Sequence, residues 1–185
     1  TSEGKLQAWA YNQGKRGSVQ PTPAQKVVTA QVAESGVALP QRLRLITPLG
    51  AAVRQQKVRL SETMSMAGGM HSMNFYINDK QFDMGRIDLT SKVGEVEEWV
   101  VDNTSDMDHP VHIHGGQFQL QRREWIDASR GAPTAFALSW KDTVNIRSGE
   151  RVSFKMIQQH KGVRMLHCHI LEHEDAGMMA NIKVI

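Results

Sequence analysis

Short apolar or alternating segments recur between turn signals along most of this 185-residue chain, and this pattern constrains its fold more than any other feature. Alternation with period two is typical of half-buried strands, and several such strands at short spacing are typical of antiparallel sandwiches or barrels. No long segment has a helical period. We therefore predict an all-β chain, a β-sandwich with short helical turns at most. The predicted strands cover residues 58–66, 73–77, 96–101, 111–120, 143–146, 152–157, 163–168 and 179–185.

The first third of the chain has a different composition. After one short candidate strand at residues 6–11, the stretch from residue 12 to about residue 56 is rich in Gly, Pro, Gln, Lys and Arg and shows little periodicity. Such a stretch is typical of a strand end followed by a linker. A chain of this length can bury the core of one domain and carry a tail. We predict a boundary between residues 1–56 and one domain at residues 57–185.

The charged residues argue against a polyanionic partner. Lys and Arg number 22 against 19 Asp and Glu, and the basic side chains are scattered rather than grouped in a tract. We therefore expect no nucleic acid partner. The longest apolar stretches are too short to span a bilayer, and no charged-then-apolar leader opens the chain. We expect a soluble protein with no membrane partner and with any export signal upstream.

Six of the eight histidines fall in two tight groups. The first lies in the motif DHPVHIHGG, and the second in MLHCHILEHEDAGMM, which also holds the single cysteine, Cys168. Several imidazoles and a thiol buried together would leave many donors and acceptors unpaired unless a metal ion bound them. His71 and His160 stand apart, and we expect them to be ordinary core or surface residues. The clustered histidines are His109, His112, His114, His167, His169 and His173.

Strand geometry divides these side chains into two sets. Alternate side chains of an extended chain point to opposite faces, so Cys168 faces away from the two histidines that flank it. The same count turns His109 away from His112 and His114. We therefore predict two adjacent metal sites. The predicted sets are His109, Cys168 and His173 with Met178, and His112, His114, His167 and His169.

The types of ligand distinguish between metals. Two histidines, a cysteine and a weakly bound methionine are typical of a blue-copper electron-transfer centre, and an all-imidazole set suits copper that meets dioxygen or another small ligand. Zinc also accepts cysteine and histidine. A structural zinc site, however, has no use for a methionine and no reason to place its cysteine between two histidines of another site. Copper is therefore the predicted cofactor, and Cys168 gives an electron a short bonded route between the two sites.

These motifs resemble those of the multicopper oxidases, in particular the bacterial laccase and cuprous-oxidase branch. The paired signatures are HPVHIHG at residues 109–115 and HCHILEHEDAGMM at residues 167–179. NFYINDKQFDMGRIDL, GEVEEWVVDN and WKDTVNI extend the similarity over most of residues 57–185. The resemblance implies a C-terminal cupredoxin-like domain, a Greek-key β-sandwich or barrel. Residues 1–56 resemble the end of the family's middle domain and its connecting segment.

The resemblance also implies a role for each ligand, in agreement with the strand argument. The set around Cys168 would hold a type 1 copper that takes single electrons from a reducing substrate. Its axial ligand would be Met178, which lowers the copper potential relative to family members with leucine or phenylalanine there. The type 2 copper would be bound by His112. The type 3 pair would be bound by His114, His167 and His169.

Besides Cys168, two acidic residues are candidates for a role in catalysis. Glu174 stands where the bacterial branch carries an acidic residue thought to supply protons during oxygen reduction, and the alternative is a solvated loop carboxylate. Asp108 would orient a neighbouring histidine, or it would cap the turn. Both readings are open for each carboxylate.

A whole oxidase of this family completes its copper cluster with His-x-His pairs from an N-terminal domain. We therefore expect this chain to be the C-terminal part of a longer polypeptide, and its partners to be the N-terminal domains of the same oxidase, O2 and a reducing substrate. Phenols, aromatic amines and metal ions are the candidate substrates. On its own the chain should not turn over dioxygen. Relatives in this branch are mostly exported, which implies a periplasmic or extracellular location.

Two other classes of copper protein compete with the oxidase. A stand-alone electron-transfer cupredoxin would leave the all-imidazole set without a role. A copper nitrite reductase also couples a blue site to a second copper, but the HCH doublet and the HxxHxH run fit the oxidases better.

A methionine-rich segment, LSETMSMAGGMHSMNFYI, precedes these motifs. Thioether clusters favour Cu(I), so delivery or oxidation of cuprous ion is one interpretation. The other, which we favour, is that Met64 and Met66 form one face of a strand that packs on the core. The remaining members of the segment are Met70, His71 and Met73.

Overall fold

A computed structural model describes residues 2–8, 25–32, 45–67, 70–132 and 135–185. The chain divides into two compact units, Thr1–Leu45 and Ile46–Ile185. In the first unit, β1 (Ser2–Ala8) pairs antiparallel with β2 (Gln25–Val32). The strand β2 lies inside the stretch that we predicted as linker. Residues 9–11 of the predicted first strand lie outside the described residues.

The second unit consists of two sheets and two short helical segments. Its strands are β3 (Arg54–Ala67), β4 (Met70–Ile77), β5 (Leu89–Ser91), β6 (Val96–Asn103), β7 (His109–Ile113), β8 (Phe118–Trp125), β9 (Trp140–Lys141), β10 (Thr143–Ile146), β11 (Glu150–Ile157), β12 (Gly162–Cys168) and β13 (Met179–Val184). A 3-10 turn covers Ala128–Arg130, and the helix α1 covers Leu171–Asp175. Across the described part of the chain, no helix has the length and apolar character needed to cross a membrane.

One sheet has the strand order β10-β7-β12-β13-β5 and the other has the order β4-β3-β6-β11-β8-β9. Neighbouring strands are antiparallel, except for the parallel pairs β3–β6 and β13–β5. Apolar side chains from both sheets form one buried cluster. In β6, for example, alternate residues are buried, among them Trp99 and Val101. Each large apolar side chain buried in this way contributes about 1.5–3 kcal/mol.

The predicted β-sandwich with short helical turns is confirmed. The prediction of one strand at residues 111–120 is wrong, because the chain leaves the first sheet after β7 and enters the second at β8. Gly115 lies in this turn with a φ of 81°, a left-handed conformation that glycine adopts without steric cost. The strands β5 and β9 have three and two residues, too few to leave a period in the sequence.

The second unit begins before β3. The buried amide of Gln119 accepts a hydrogen bond from the Leu49 N–H at 2.8 Å and donates one to the Thr47 carbonyl at 2.8 Å. The predicted boundary between residues 56 and 57 falls inside β3. The interpretation of residues 1–56 as the end of a preceding domain with its linker stays a prediction.

Candidate metal centres

One cluster of donor atoms lies where β7 begins, β12 ends and α1 follows. The Cys168 Sγ is 3.6 Å from the His109 Nδ1 and 3.7 Å from the His173 Nδ1, and the two Nδ1 atoms are 3.1 Å apart. All three side chains are buried. The strand pairing sets Cys168 opposite Val111 of β7, two residues from His109. One sulfur and two imidazole nitrogens thus converge on a compact point; we refer to these three residues as the cysteine cluster.

Met178 is fully buried in the loop between α1 and β13. Its N–H donates to the His173 carbonyl at 2.9 Å, and its carbonyl accepts from the Cys168 N–H at 3.1 Å. The preceding residue, Gly177, has a φ of 108°. A Cβ there would lie 3.0 Å from side-chain carbons of Gln81 and 3.2 Å from the Phe75 carbonyl. The loop therefore returns Met178 to the backbone of two cluster residues, and glycine makes that return possible.

Burial sets the protonation state of the cysteine cluster. Desolvation, together with the neighbouring His173, lowers the pKa of His109 to about 3. Desolvation also lowers the pKa of His173, and it raises the pKa of the Cys168 thiol to about 12. At neutral pH the metal-free imidazoles are therefore neutral and the thiol is protonated. A cation bound at this point would displace the thiol proton.

Two residues that fix the imidazoles were missed by sequence reasoning. The Ser105 Oγ lies 2.6 Å from the His109 Nε2, on the side of the ring away from Cys168. The ring of Phe75 stacks on that of His173 at 4.0 Å between centroids, with an interplanar angle of 21°. A serine in a polar loop predicts a turn, and a phenylalanine in a strand predicts core packing. Neither residue type signals a contact with a metal ligand.

Four imidazoles lie beside the cysteine cluster, and we refer to them as the four-histidine cluster. Their ring centroids are 4.9–5.8 Å apart in five of the pairs. The donor atoms of three members lie within 4.8 Å of one another, and the Nε2 atoms of His114 and His167 are 3.0 Å apart. The fourth, His169, is exposed. The members are His112, His114, His167 and His169.

Hydrogen bonds orient two of these rings through their Nδ1 atoms, which leaves Nε2 as the nitrogen that can bind a metal. The His112 Nδ1 lies 2.9 Å from the Asp142 carbonyl, and the His167 Nδ1 lies 2.9 Å from the Cys168 carbonyl. A carbonyl can only accept, so each Nδ1 donates and each Nε2 keeps its lone pair. Burial, followed by the neighbouring His112 and His167, lowers the pKa of His114. At neutral pH His114 is therefore a neutral donor.

The two candidate carboxylates have different surroundings. The Glu174 Oε2 lies 3.1 Å from the His167 Nδ1, with the side chain 23% exposed. The Asp108 carboxylate accepts from the Asn145 amide and from the Ser148 N–H, both at 3.1 Å. Glu174 therefore joins the four-histidine cluster. These two contacts of Asp108 are with β10 and with the turn that follows it.

The favoured interpretation of the methionine-rich segment is wrong for its first two members. Met64 is 51% exposed and Met66 is 72% exposed, so neither packs on the core. Met73, opposite Met64 in the β3–β4 pair, packs partly against the core. The side chains of Met70 and His71 lie outside the described residues. His160 is exposed, in agreement with an ordinary surface role.

The donor sets fit copper. Two imidazoles and a cysteine sulfur, with Met178 buried in the adjoining loop, suit a blue-copper centre, and clustered imidazoles suit a copper that keeps open positions. A β-sandwich that carries both sets on opposite sides of one strand defines a copper-binding domain of the cupredoxin type.

Comparison with known proteins agrees with this class. The family model described as multicopper oxidase matches residues 55–185. The chain is 41% identical over 115 residues to the multicopper oxidase mco of Staphylococcus aureus, covering 60% of this chain and 25% of that protein. It is 28% identical over 145 residues to a laccase of Bacillus subtilis strain 168, covering 69% of this chain and 28% of the laccase. The chain belongs to the multicopper oxidase family.

Solved structures confirm the cupredoxin-like fold. A multicopper oxidase from Campylobacter jejuni, described as a metallo-oxidase, superposes with a TM-score of 0.83 at 37% identity, covering 99% of this chain and 41% of that one. McoA of Aquifex aeolicus gives a TM-score of 0.72 at 29% identity, covering 98% of this chain and 40% of McoA. The chain spans about a quarter of the length of the curated relatives.

Proposed function

We propose that this chain is the C-terminal part of a laccase-like multicopper oxidase. In the assembled oxidase, a type 1 copper takes single electrons from a reducing substrate, and a trinuclear copper cluster uses them to reduce O2 to water. The proposed partners are the N-terminal domains of the same oxidase, O2 and the reducing substrate. A periplasmic or extracellular location is part of the proposal.

One observation carries this function: Cys168, the last residue of β12, and the two histidines on either side of it serve both clusters. Cys168 lies in the cysteine cluster, while His167 and His169 on either side of it lie in the four-histidine cluster. A simple electron-transfer domain needs the cysteine cluster alone. The additional imidazoles, one of them exposed, provide half of a site that a second protein surface can complete.

The ligands are assigned as follows. The cysteine cluster with Met178 would hold the type 1 copper, which supplies one-electron transfer when bound. His112 would bind the type 2 copper. The type 3 copper pair would be bound by His114, His167 and His169.

Within this function, Glu174 would hold a proton for oxygen reduction. Its carboxylate touches the His167 imidazole at 3.1 Å and is partly exposed, so it connects the cluster to solvent. In the assembled oxidase, Glu174→Gln should slow oxygen reduction while the type 1 copper is still reduced at the normal rate. Glu172→Gln, on the exposed side of α1, is the matched control. Equal oxygen-reduction rates in the two variants would contradict the role.

Among the candidate reducing substrates, which are phenols, aromatic amines and metal ions, we propose Cu(I). Met64 and Met66 expose thioethers on β3, and soft thioethers prefer Cu(I). Competition with a chelator should then show a weak Cu(I) site that is lost in a Met64→Leu, Met66→Leu double variant. Met84→Leu, an exposed loop methionine, should keep it. Undiminished Cu(I) binding in the double variant would remove this support.

The function is tested by copper content with visible and EPR spectra, on the chain alone and then with the N-terminal domains. We expect the chain by itself to show only a blue copper centre. After the N-terminal domains are added, we expect a type 2 copper signal and oxygen consumption. His114→Phe should keep the blue centre and lose the oxygen-consuming activity, because it changes only the four-histidine cluster. If the added domains bring neither copper nor activity, the chain is an electron-transfer module instead.

A further inference from the structure

A chain of buried hydrogen bonds ends on the cysteine cluster from the side opposite to the metal-binding point. Asn103, Ser105 and His109 are all buried. The Ser105 Oγ lies 2.6 Å from the His109 Nε2 and 2.7 Å from the Asn103 Oδ1. The Asn103 Nδ2 in turn donates to the Met107 carbonyl at 2.7 Å and to the Ile146 carbonyl at 3.0 Å.

The directions of these bonds follow from the groups themselves. The Asn103 amide cannot be reversed, because its nitrogen faces two carbonyls and its oxygen accepts the Ser105 N–H at 3.0 Å. The Ser105 hydroxyl has two oxygen acceptors for its proton, the Asn103 Oδ1 and the Met107 carbonyl at 3.1 Å. With the proton on either of them, the Ser105 Oγ accepts from an N–H on the His109 Nε2, and this is the tautomer that a metal ion on the Nδ1 requires.

We propose that Ser105, held by Asn103, is a positioning residue for the copper in the cysteine cluster. It keeps His109 in the tautomer that carries its proton on Nε2, so that the Nδ1 lone pair is directed toward Cys168 and His173. It also prevents the ring from turning over, since a turned ring would leave the buried hydroxyl facing a carbon atom. The copper part of this inference rests on the proposed function; the tautomer does not.

The hydrogen bond that Ser105 accepts from His109 also makes His109 a stronger metal ligand. A hydrogen bond from Nε2–H raises the basicity of Nδ1, and loss of such a bond typically costs about 10–100-fold in metal affinity. The more basic donor favours Cu(II) over Cu(I). Ser105 therefore lowers the reduction potential of the centre.

The test compares Ser105→Ala with Ser153→Ala. Ser153 is equally buried, and among the described residues its hydroxyl has no partner, so its variant reports the cost of removing a buried hydroxyl elsewhere. Ser105→Thr keeps the hydroxyl and should restore wild-type behaviour. The readouts are the imidazole nitrogen shifts of the metal-free chain, the Cu(II) affinity and the reduction potential.

We expect the metal-free wild type to show His109 protonated on Nε2, and Ser105→Ala to show both tautomers. The Cu(II) affinity of Ser105→Ala should fall about tenfold, which raises the potential by about 59 mV if Cu(I) affinity is unchanged. Wild-type tautomer, affinity and potential in Ser105→Ala would overturn the proposal. A wild-type His109 protonated on Nδ1 would overturn it too, even if the variant fails to fold. Failure of the wild type to bind copper would overturn the proposed function, while the tautomer still decides the role of Ser105.

Discussion

His109 makes the metal-free protein sensitive to acid. Its pKa is lowered from 6.5 to about 3 by burial and by His173, so between these values the unfolded state binds a proton that the folded state does not. The free energy of unfolding therefore rises with pH across this window. The contribution linked to His109 is fully present above pH 6.5 and is lost as the pH falls toward 3. His173, with its pKa also lowered by burial, acts in the same direction.

We expect urea unfolding of the metal-free chain to give a lower free energy at pH 4 than at pH 7. In His109→Leu this difference should be smaller, because one buried titrating group is gone. The control is His160→Ala, which changes an exposed histidine and should keep the wild-type difference. A difference in His109→Leu as large as in the wild type would show that other groups cause the acid sensitivity.

At this scale the sequence predicts direct ligands better than their supports. Cys168 and its flanking histidines are consecutive in the sequence, so the period of two of an extended chain assigns their faces without knowledge of the fold. Ser105 reaches His109 only because a loop conformation and the side chain of Asn103 place it there. Such contacts depend on the folded loop and leave no periodic signal.

Among the elements, the loop from α1 to β13 is constrained at Gly177 by both its backbone conformation and its neighbours. Gly177→Ala should be strongly destabilising, because its φ of 108° disfavours a Cβ and the new atom would crowd Gln81 and the Phe75 carbonyl. Since Met178 follows directly, the copper spectrum should change as well. Thermal unfolding and the visible spectrum measure the two effects.

Gly162 provides the comparison for this variant. It has a φ of 133°, but an added Cβ would meet nothing within 4 Å. Gly162→Ala should therefore show the backbone cost alone, about 1–3 kcal/mol, with an unchanged copper spectrum. If both variants lose the same stability and keep the spectrum, the crowding at Gly177 has no consequence for the site.

Elements were predictable where one face is buried throughout. In β6, the alternation of buried and partly buried residues covers the whole strand, and residues 96–101 were predicted as one of the short apolar or alternating segments. The division between β7 and β8 falls at Gly115 and Gly116, a turn signal that the prediction of one strand at residues 111–120 passed over because apolar residues recur on both sides of it. The strand β2 lies in a polar stretch whose composition favours a linker.

For the whole molecule, the position where the second unit starts should affect the free energy of unfolding of a shortened chain. The segment 46–185 keeps Thr47 and Leu49, both of which bond the buried Gln119 amide. The segment 57–185 loses both partners. An unpaired buried polar group costs about 1–3 kcal/mol, so we expect 46–185 to bind copper as the full chain does and 57–185 to be less stable.

The substitution Gln119→Leu tests whether the unpaired Gln119 amide causes that loss of stability. In 57–185 this substitution removes the unpaired amide and should recover part of the stability, whereas in 46–185 it should destabilise. Equal unfolding free energies for the two segments would show that residues 46–56 contribute nothing to the unit. The sequence placed this start too late because residues 46–53 have no strand period, and their contacts are made by single backbone groups.

The alternation of side chains along β12 also limits how the length of this strand can change. Cys168 belongs to one cluster and its two neighbours belong to the other, so an insertion or deletion of one residue within β12 would exchange the faces of everything on one side of the change. Substitutions elsewhere in the core can be absorbed by repacking, but a shift of one position here exchanges sulfur for nitrogen in both clusters at once. The tolerance of this strand to changes in length should therefore be low.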